Sequence, residues 1–310
     1  MELLDKLVDG DPRALARSIT LVEEGLSGAD ELMRQVYPRT GQATVIGLTG
    51  SPGSGKSSLV DRLVTEARSR ERKVGVVAID PSSAFSGGAI LGDRIRMQDH
   101  AKDEGVFIRS MATRGHLGGL SRATSDAIDL MDAAGYDPIL VETVGVGQDE
   151  IEVVRAADVV AVVLVPGMGD DIQAIKAGIL EIADLFVINK ADRPGADRLQ
   201  AELDYMMSLI SSDGKPKPEI LQTVAVRNEG VKELLDGVLR FAESAAGRRL
   251  ERRHERAHAR FLAVLSERLL AHAVGRALPD GQLEKLIDDL AERRIDPYTG
   301  VEQVMQKVLS

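Results

Sequence analysis

The sequence predicts an α/β fold in which a doubly wound, mostly parallel β-sheet carries helices on both faces, with helical extensions at both ends. Seven short runs rich in β-branched residues alternate with amphipathic stretches between residues 44 and 226. Several runs are apolar almost throughout, which is typical of strands buried on both faces of a parallel sheet. The predicted strands are Thr44–Thr49, Val74–Ile79, Val106–Ser110, Ile139–Thr143, Val159–Val165, Leu185–Asn189 and Ile220–Val226.

Helical patterns precede and follow this predicted sheet. Near the start, Asp11 can cap a helix whose first position suits Pro12, and apolar residues then recur at helical spacing. A short helix over residues 29–37 and a closing helix over residues 231–245 are also expected. We therefore expect three segments, an N-terminal helical extension over residues 1–40, an α/β domain over residues 41–246 and a C-terminal helical segment over residues 247–310.

The C-terminal segment is predicted to contain three amphipathic helices, because apolar residues recur there in three stripes at helical spacing. The stripes are Phe261, Leu262, Leu265 and Leu269, then Leu283, Leu286, Ile287 and Leu290, then Val301, Val304, Met305 and Val308. Such stripes need a partner surface. We expect them to form a homodimer, with packing inside one chain as the alternative.

Composition narrows the classes of partner. The 310 residues include 49 acidic and 39 basic ones, and the resulting net charge of −10 opposes binding to nucleic acid or to anionic lipid. The sequence contains no cysteine, which excludes thiol catalysis and thiolate metal ligands. No stretch resembles a signal peptide or a membrane span, so we expect a cytoplasmic protein without nucleic-acid or membrane partners.

Residues 50–57 read GSPGSGKS and match the phosphate-binding loop at every fixed position, directly after a predicted strand and before a predicted helix. Glycines in such a loop let backbone N–H groups point at phosphate oxygens, and the following helix presents its positive end. Lys56 would meet the β- and γ-phosphates, and Ser57 would offer its hydroxyl to Mg²⁺. The predicted phosphate-site residues are Gly50, Ser51, Pro52, Gly53, Ser54, Gly55, Lys56, Ser57 and Ser58.

Residues 189–192 read NKAD and follow a predicted strand at the sheet edge where open α/β folds bind ligands. Asp192 can accept hydrogen bonds from N1–H and the amino group of guanine, whereas adenine has no N1–H to donate. The stem of Lys190 can lie over the base, and Asn189 can tie this segment to the phosphate loop. We expect the loop after the last strand, around residues 225–228, to form a second wall for the base, with Val224, Ala225 and Val226 as nucleotide-binding residues. Together the two motifs predict a P-loop GTPase that binds GTP or GDP with Mg²⁺.

Three acidic residues are candidate Mg²⁺ ligands beside Ser57. Asp80 and Glu142 end predicted strands, and Asp93 lies in a glycine-rich segment. Residues 142–145 read ETVG, where GTPases carry a DxxG switch, and the amide of Gly145 could sense the γ-phosphate. The predicted catalytic residues are therefore Lys56, Asp93, Glu142 and Gly145.

Val146 stands where Ras-like enzymes carry a glutamine that orients water. We therefore expect slow intrinsic hydrolysis that accelerates when a partner reshapes the switch loops. Residues 167–178 are either a further switch element or the capped start of a helix. The predicted switch residues are Val144, Val146, Gln148, Asp170, Gln173 and Lys176, and the candidate transition-state cations are Arg94, Arg96, Arg109 and Arg114.

Long segments of the chain resemble the MeaB/ArgK family of methylmalonyl-CoA mutase-associated GTPases, of the SIMIBI class. They include GLTGSPGSGKSSL, VAIDPSSAFSGGAILGDRIRM, TRGHLGGLS, ILVETVGVGQDE, VVLVPGMGDDIQAIKAGILEIADLFVINKAD and the terminal DPYTG. The resemblance implies Asp80, Asp93 and Glu142 near the magnesium ion, and switch elements at residues 87–96, 144–148 and 167–176. It also implies a homodimeric chaperone that binds an adenosylcobalamin-dependent acyl-CoA mutase and gates cofactor loading and protection through GTP hydrolysis.

Two other functions fit parts of the pattern. A nickel-insertion GTPase of the same class would typically carry clusters of Cys and His, but this sequence has no Cys and 5 His. A P-loop kinase acting on a small molecule would consume ATP and would not need NKAD. Both alternatives therefore explain fewer of the residues than a mutase-associated GTPase does.

Overall fold

The computed structural model describes residues 2–80, 100, 102–112, 122–143, 157–167, 183–209, 217–244, 246–279 and 281–309. For Asp80, Ala112 and residues 246–249 it describes the backbone alone. The chain separates into two compact units, Met1–Arg253 and His254–Ser310. Among the described helices, none combines the length and the apolar character that crossing a membrane requires.

The first unit is built on a seven-stranded sheet in the order β3-β2-β4-β1-β5-β6-β7, in which every neighbouring pair is parallel. This topology confirms the predicted fold class. The strands are β1 (Val45–Thr49), β2 (Val74–Asp80), β3 (Val106–Ala112), β4 (Ile139–Thr143), β5 (Val159–Leu164), β6 (Leu185–Asn189) and β7 (Glu219–Thr223). In the central strands β1, β4, β5 and β6 every residue is buried, as their nearly continuous apolar sequences require.

The last strand is shorter than its sequence predicts. It ends at Thr223, and residues Ala225–Arg227 form a 3₁₀ turn instead of continuing the strand. Val224 N–H donates to Glu229 O at 3.0 Å, and Asn228 adopts a left-handed conformation with φ of 57°, so the chain folds back on itself. The apolar run VAV at residues 224–226 therefore leaves the sheet although its composition favours a strand.

Helices cover both faces of the sheet. They are α1 (Glu2–Val8), α2 (Pro12–Glu23), α3 (Ala29–Val36), α4 (Lys56–Ser69), α5 (Arg122–Ala133), α6 (Ala196–Leu209) and α7 (Val231–Ser244). On one face α1, α2, α3, α5 and α6 contribute to a single apolar core, and on the other α4 and α7 form a second core. The three N-terminal helices thus pack within the same unit as the sheet.

Charged side chains fix the amino ends of the strands β5 and β6. Asp158 and Asp184, which immediately precede these strands, accept backbone N–H donors from Val45 at 3.0 Å and Val160 at 2.9 Å, respectively. Arg252 donates to both carboxylate oxygens of Asp184 at 2.7 Å and to the carbonyl of Asp158 at 2.7 Å. A bidentate guanidinium–carboxylate pair has a defined geometry, so it holds the two strand starts in register.

The C-terminal region contains α8 (Ala246–Ala277), α9 (Gln282–Ala291) and α10 (Pro297–Leu309). Within the second unit, α9 and α10 pack where Gly300 lies against Leu286 and Leu290. Apolar side chains on all three helices remain exposed, and Phe261 and Leu269 on α8 are 64% and 58% exposed. Much of the apolar surface that these helices carry is therefore not covered within the described chain.

Helix α2 begins with an N-cap formed by the side chain of Asp11. The Asp11 carboxylate accepts the backbone N–H groups of Arg13 and Ala14 at 2.7 and 2.9 Å, as its position before Pro12 predicts. These two hydrogen bonds lower the pKa of Asp11 below its usual value. The carboxylate form is therefore the one that stabilises the helix.

We expect Asp11→Ala to lower the free energy of unfolding at neutral pH, because the helix loses its N-cap. A lowered folded-state pKa gives stability that is present above the unfolded pKa and lost as pH falls through the folded pKa. The difference between variant and wild type should therefore shrink in acid. Urea unfolding at several pH values measures it, with exposed Asp9→Ala as the control. An equal cost for both variants would contradict the capping role.

Candidate nucleotide-binding site

The glycine-rich loop lies between β1 and α4, and its backbone packs closely against neighbouring strands. Gly50 has φ of 139°, and a Cβ atom there would lie 2.1 Å from the carbonyl oxygen of Val163 in β5. Gly55 has φ of 90°, and a Cβ atom there would lie 2.5 Å from Asn189 Nδ2. Glycine is therefore required at both positions for steric reasons as well as for backbone conformation.

Lys56 is the first residue of α4, and its buried side chain folds back over the loop. Its Nζ donates to the carbonyl oxygens of Gly50 at 2.6 Å and Ser51 at 3.0 Å. A positive charge thus sits beside the N-terminus of a 14-residue helix, which itself carries a partial positive charge. The ammonium group of Lys56 and the N-terminus of the helix together favour the binding of an anion at this end of the sheet.

Ser57 and Glu142 meet at the tips of α4 and β4. The serine hydroxyl donates to Glu142 Oε1 at 2.6 Å, and the glutamate is buried. Hydroxyl and carboxylate oxygens are the donors that Mg²⁺ takes, so this pair fits the predicted magnesium site. Two buried hydroxyls next to the loop, those of Thr49 and Ser54, have no hydrogen-bond partner in the part of the chain that the structure describes. Buried polar groups of this kind require a ligand or water.

The side chain of Asn189 joins three segments at the end of β6. Its Nδ2 donates to the carbonyl of Ser54 in the glycine-rich loop at 2.8 Å. Its Oδ1 accepts the hydroxyl of Thr223 and the backbone N–H of Ala225, both at 3.2 Å. The backbone N–H of Ala191 also donates to Thr223 O at 3.0 Å. The predicted phosphate and base segments are therefore held together by one buried amide.

Lys190 and Asp192 lie beside the hydrogen bonds that the Asn189 side chain makes. Lys190 has φ of 55°, and its Nζ donates to the carbonyl of Gly53 at 2.7 Å, so its stem spans the gap between the two segments. Asp192 is partly exposed and faces Arg227, whose Nη2 is 3.6 Å from Asp192 Oδ2. Arg227 also pairs through Nε with Glu229 at 3.1 Å. A carboxylate and an aliphatic stem thus border one open edge of the sheet.

The predicted second wall lies next to Asp192. Val224 and Ala225 are buried, whereas the side chain of Val226 is 75% exposed. An exposed valine in a rigid turn is suited to contact the flat face of a planar ligand. Arg227 lies within the predicted loop over residues 225–228. The sequence did not reveal Thr223 as part of this region, since it takes its position from a contact with Asn189, 34 positions away along the chain.

Several predicted site residues lie outside the described residues. For Asp80 the backbone is described, and it ends β2 two residues beyond Ala78, the partner of Glu142 in the sheet. Of the remaining phosphate-site positions, Pro52 and Ser58 are described, and both are exposed at the surface of the loop and of α4. The predicted catalytic and switch residues outside the described ranges are Asp93, Val144, Gly145, Val146, Gln148, Asp170, Gln173 and Lys176.

Arg109 has a structural contact that its sequence context did not indicate. Its guanidinium forms an ion pair with Glu23, and it also lies 3.5 Å from the hydroxyl of Thr20. Both partners belong to α2, so Arg109 joins β3 to the N-terminal helices. This contact favours a structural role over the predicted role as a transition-state cation. Arg94, Arg96 and Arg114 lie outside the described residues.

The fold and this loop define a P-loop nucleotide-binding protein, because a GxxxxGK[ST] segment joins a parallel strand to a helix and places Lys and Ser at the helix start. The chain belongs to the family described as methylmalonyl Co-A mutase-associated GTPase MeaB, whose profile matches residues 15–277. It is thus a member of a GTPase family, as its sequence predicts.

Similar proteins cover nearly the full chain. A protein of Pyrococcus abyssi is 48% identical over 313 residues, covering 99% of this chain and 96% of that protein. GTPase ArgK of Escherichia coli is 33% identical over 317 residues, covering 98% of this chain and 95% of ArgK. The crystal structure of an LAO/AO transport system kinase has a TM-score of 0.71 at 27% identity, and the match covers 100% of this chain and 97% of that one.

Proposed function

We propose that this chain binds GTP and GDP together with Mg²⁺ and hydrolyses GTP to GDP and phosphate. We further propose that it acts as a chaperone for an adenosylcobalamin-dependent acyl-CoA mutase of the methylmalonyl-CoA mutase type. The observation that carries the nucleotide assignment is the Asn189 amide, which links the glycine-rich loop to the NKAD segment. It keeps the groups that would bind phosphate next to those that would bind the base.

In this proposal the residues of the glycine-rich loop bind the phosphates. Lys56 contacts the β- and γ-phosphates, exchanging its loop carbonyl partners for phosphate oxygens. Ser57 and Glu142 would hold Mg²⁺ with Asp80 and Asp93, and the ion would supply positive charge that offsets the negative charge of the phosphates. Gly145 and the predicted switch segments would respond to the γ-phosphate.

The base segment favours guanine over adenine. Asp192 can accept both the N1–H and the amino N–H donors of guanine, while Lys190 covers one face of the ring and Val226 borders it. Adenine would leave a carboxylate oxygen facing an unprotonated ring nitrogen, which is costly. This complementarity argues against a kinase that uses ATP, although one structural relative is described as a transport system kinase.

The mutase assignment is supported by the family description, which names association with methylmalonyl Co-A mutase. A nickel-insertion role has less support. The sequence has no Cys, and among the described residues no group of three or more His, Cys, Asp or Glu could hold a metal ion. We propose the cytoplasm as the place where this chain acts.

We propose that residues 247–310 form a dimerisation segment, residues 41–246 a nucleotide-binding domain and residues 1–40 an N-terminal extension. The exposed apolar face of α8, formed by Phe261, Leu262, Leu265 and Leu269, supports this proposal. Contiguous apolar surface of this kind marks an interaction site. A second copy of the same chain is its simplest partner, since most soluble oligomers are symmetric homo-oligomers.

The base assignment is tested with Asp192→Asn. We expect the affinity for GDP to fall about ten- to hundredfold, since a hydrogen bond to a charged group contributes ~1.5–3 kcal/mol. The amide can donate to the O2 atom of xanthine, so the affinity for xanthosine diphosphate should rise. Calorimetric titration with both nucleotides measures the change, and the exposed Asp197→Asn serves as the matched control. Unchanged GDP affinity in Asp192→Asn would refute the guanine site.

The chaperone role is tested by GTP turnover with and without the mutase of the source organism. We expect the purified chain to turn over more slowly than about 1 s⁻¹, the lower end of typical enzymes, because no glutamine follows Gly145 directly. Adding the mutase should accelerate phosphate release, and Lys56→Ala should show no turnover in either case. A fast basal rate, or a mutase that neither binds nor accelerates the reaction, would contradict the proposal.

The dimer is tested with two variants of α8, each of which adds one negative charge on a different side of the helix. Leu265→Glu places a carboxylate within the exposed apolar face and should convert a dimer to a monomer, because burying an unpaired charge is costly. Ala263→Glu adds the same charge about half a turn away, and it should leave the dimer intact. Sedimentation equilibrium measures the molecular mass of the wild type and of both variants. A monomeric wild type, or a dimer that persists in Leu265→Glu, would contradict this interface.

A further inference from the structure

Two histidines stand one turn apart on α8, outside the nucleotide-binding site. His254 and His258 are separated by four residues within the continuous helix Ala246–Ala277. Side chains at this spacing lie on the same helix face, with Cβ atoms about 5–6 Å apart. The helix backbone therefore presents two imidazoles side by side, without any loop that would have to become ordered.

Both imidazoles are available to a ligand. Each histidine is exposed, and within the described residues neither side chain takes part in a hydrogen bond or an ion pair. By contrast, His100 is held by Asp61 at 3.1 Å. A pair with no competing partner can bind a metal ion without first breaking a contact.

We propose that His254 and His258 form a bidentate site for a divalent transition metal such as Ni²⁺, Cu²⁺ or Zn²⁺. Neutral imidazole nitrogen is a preferred ligand of these ions, and two histidines at positions i and i+4 of a helix can bind one ion together. The remaining coordination positions are taken by water. The affinity should follow the general order in which Cu²⁺ exceeds Ni²⁺ and Zn²⁺.

The site binds metal without a peptidase activity. Residues 254–258 read HERAH and match the HExxH pattern of zinc peptidases, in which the glutamate acts as a general base. Such enzymes hold the ion with a third protein ligand inside a cleft. Here Glu255 is exposed, and the described residues contain no group of three potential ligands. Reversible binding of an ion at the surface is therefore the chemistry that this arrangement supports.

The same helix provides a matched control. His272 is also exposed on α8, but the residues four positions before and after it are Arg268 and Arg276. It therefore offers a single imidazole with no partner at chelating spacing. Replacing any of these exposed histidines with alanine raises helix propensity, so the fold of α8 should be kept in every variant.

The test is a Ni²⁺ titration of the untagged full-length chain, with Mg²⁺ and GDP in excess so that the nucleotide site is occupied. We expect one Ni²⁺ per chain in the wild type and in His272→Ala, and loss of this binding in His254→Ala and His258→Ala. Diethyl pyrocarbonate labelling with mass spectrometry gives a second readout, in which Ni²⁺ should protect His254 and His258 but not His272.

Binding that survives in His258→Ala would overturn the proposal, as would equal loss in His272→Ala or the absence of any Ni²⁺ binding by the wild type. None of these outcomes depends on GTP hydrolysis or on the mutase. Failure of the nucleotide assignment would leave this titration interpretable, because the labelling pattern reports on each histidine separately.

Discussion

The geometry of the candidate site depends on the side chain of Asn189. Its amide donates to the carbonyl of Ser54 in the glycine-rich loop, and it accepts from Thr223 at the end of β7 and from Ala225 just beyond it. These three segments come from distant parts of the sequence. Because the amide is buried, losing one of its partners would leave a polar group unsatisfied at a cost of about 1–3 kcal/mol. The three segments therefore hold one another in position.

The strand that carries Asn189 is fixed at both ends. At its start Asp184 binds Arg252 and the backbone of Val160, and at its end Asn189 binds the glycine-rich loop. Between these points every side chain of β6 is buried. A one-residue slip of β6 would break these contacts at its ends and would exchange its side chains between the two apolar cores. Its register consequently sets the distance between the NKAD segment and the phosphate loop.

Much of this arrangement could be predicted from sequence because it depends on local patterns. Buried strands, the glycine-rich loop and the cap at Asp11 each occupy a few consecutive residues with distinctive chemistry. The end of β7 was predicted wrongly, since the Val224–Glu229 backbone pairing overrides the strand propensity of Val224–Val226. The partners of Arg109, Arg227 and Arg252 could not be predicted either. The position of an arginine in the sequence does not specify which carboxylate, tens of residues away, will lie near its guanidinium group in the folded chain.

The central claim is that the edge formed by the glycine-rich loop and the NKAD segment binds a guanine nucleotide. A crystal structure of the chain grown with GDP and Mg²⁺ tests it most directly. The account predicts phosphates on the backbone N–H groups of residues 50–57 and the N1 atom of guanine within hydrogen-bonding distance of the Asp192 carboxylate. A nucleotide bound at another surface, or a base turned away from Asp192 in this pocket, would contradict it.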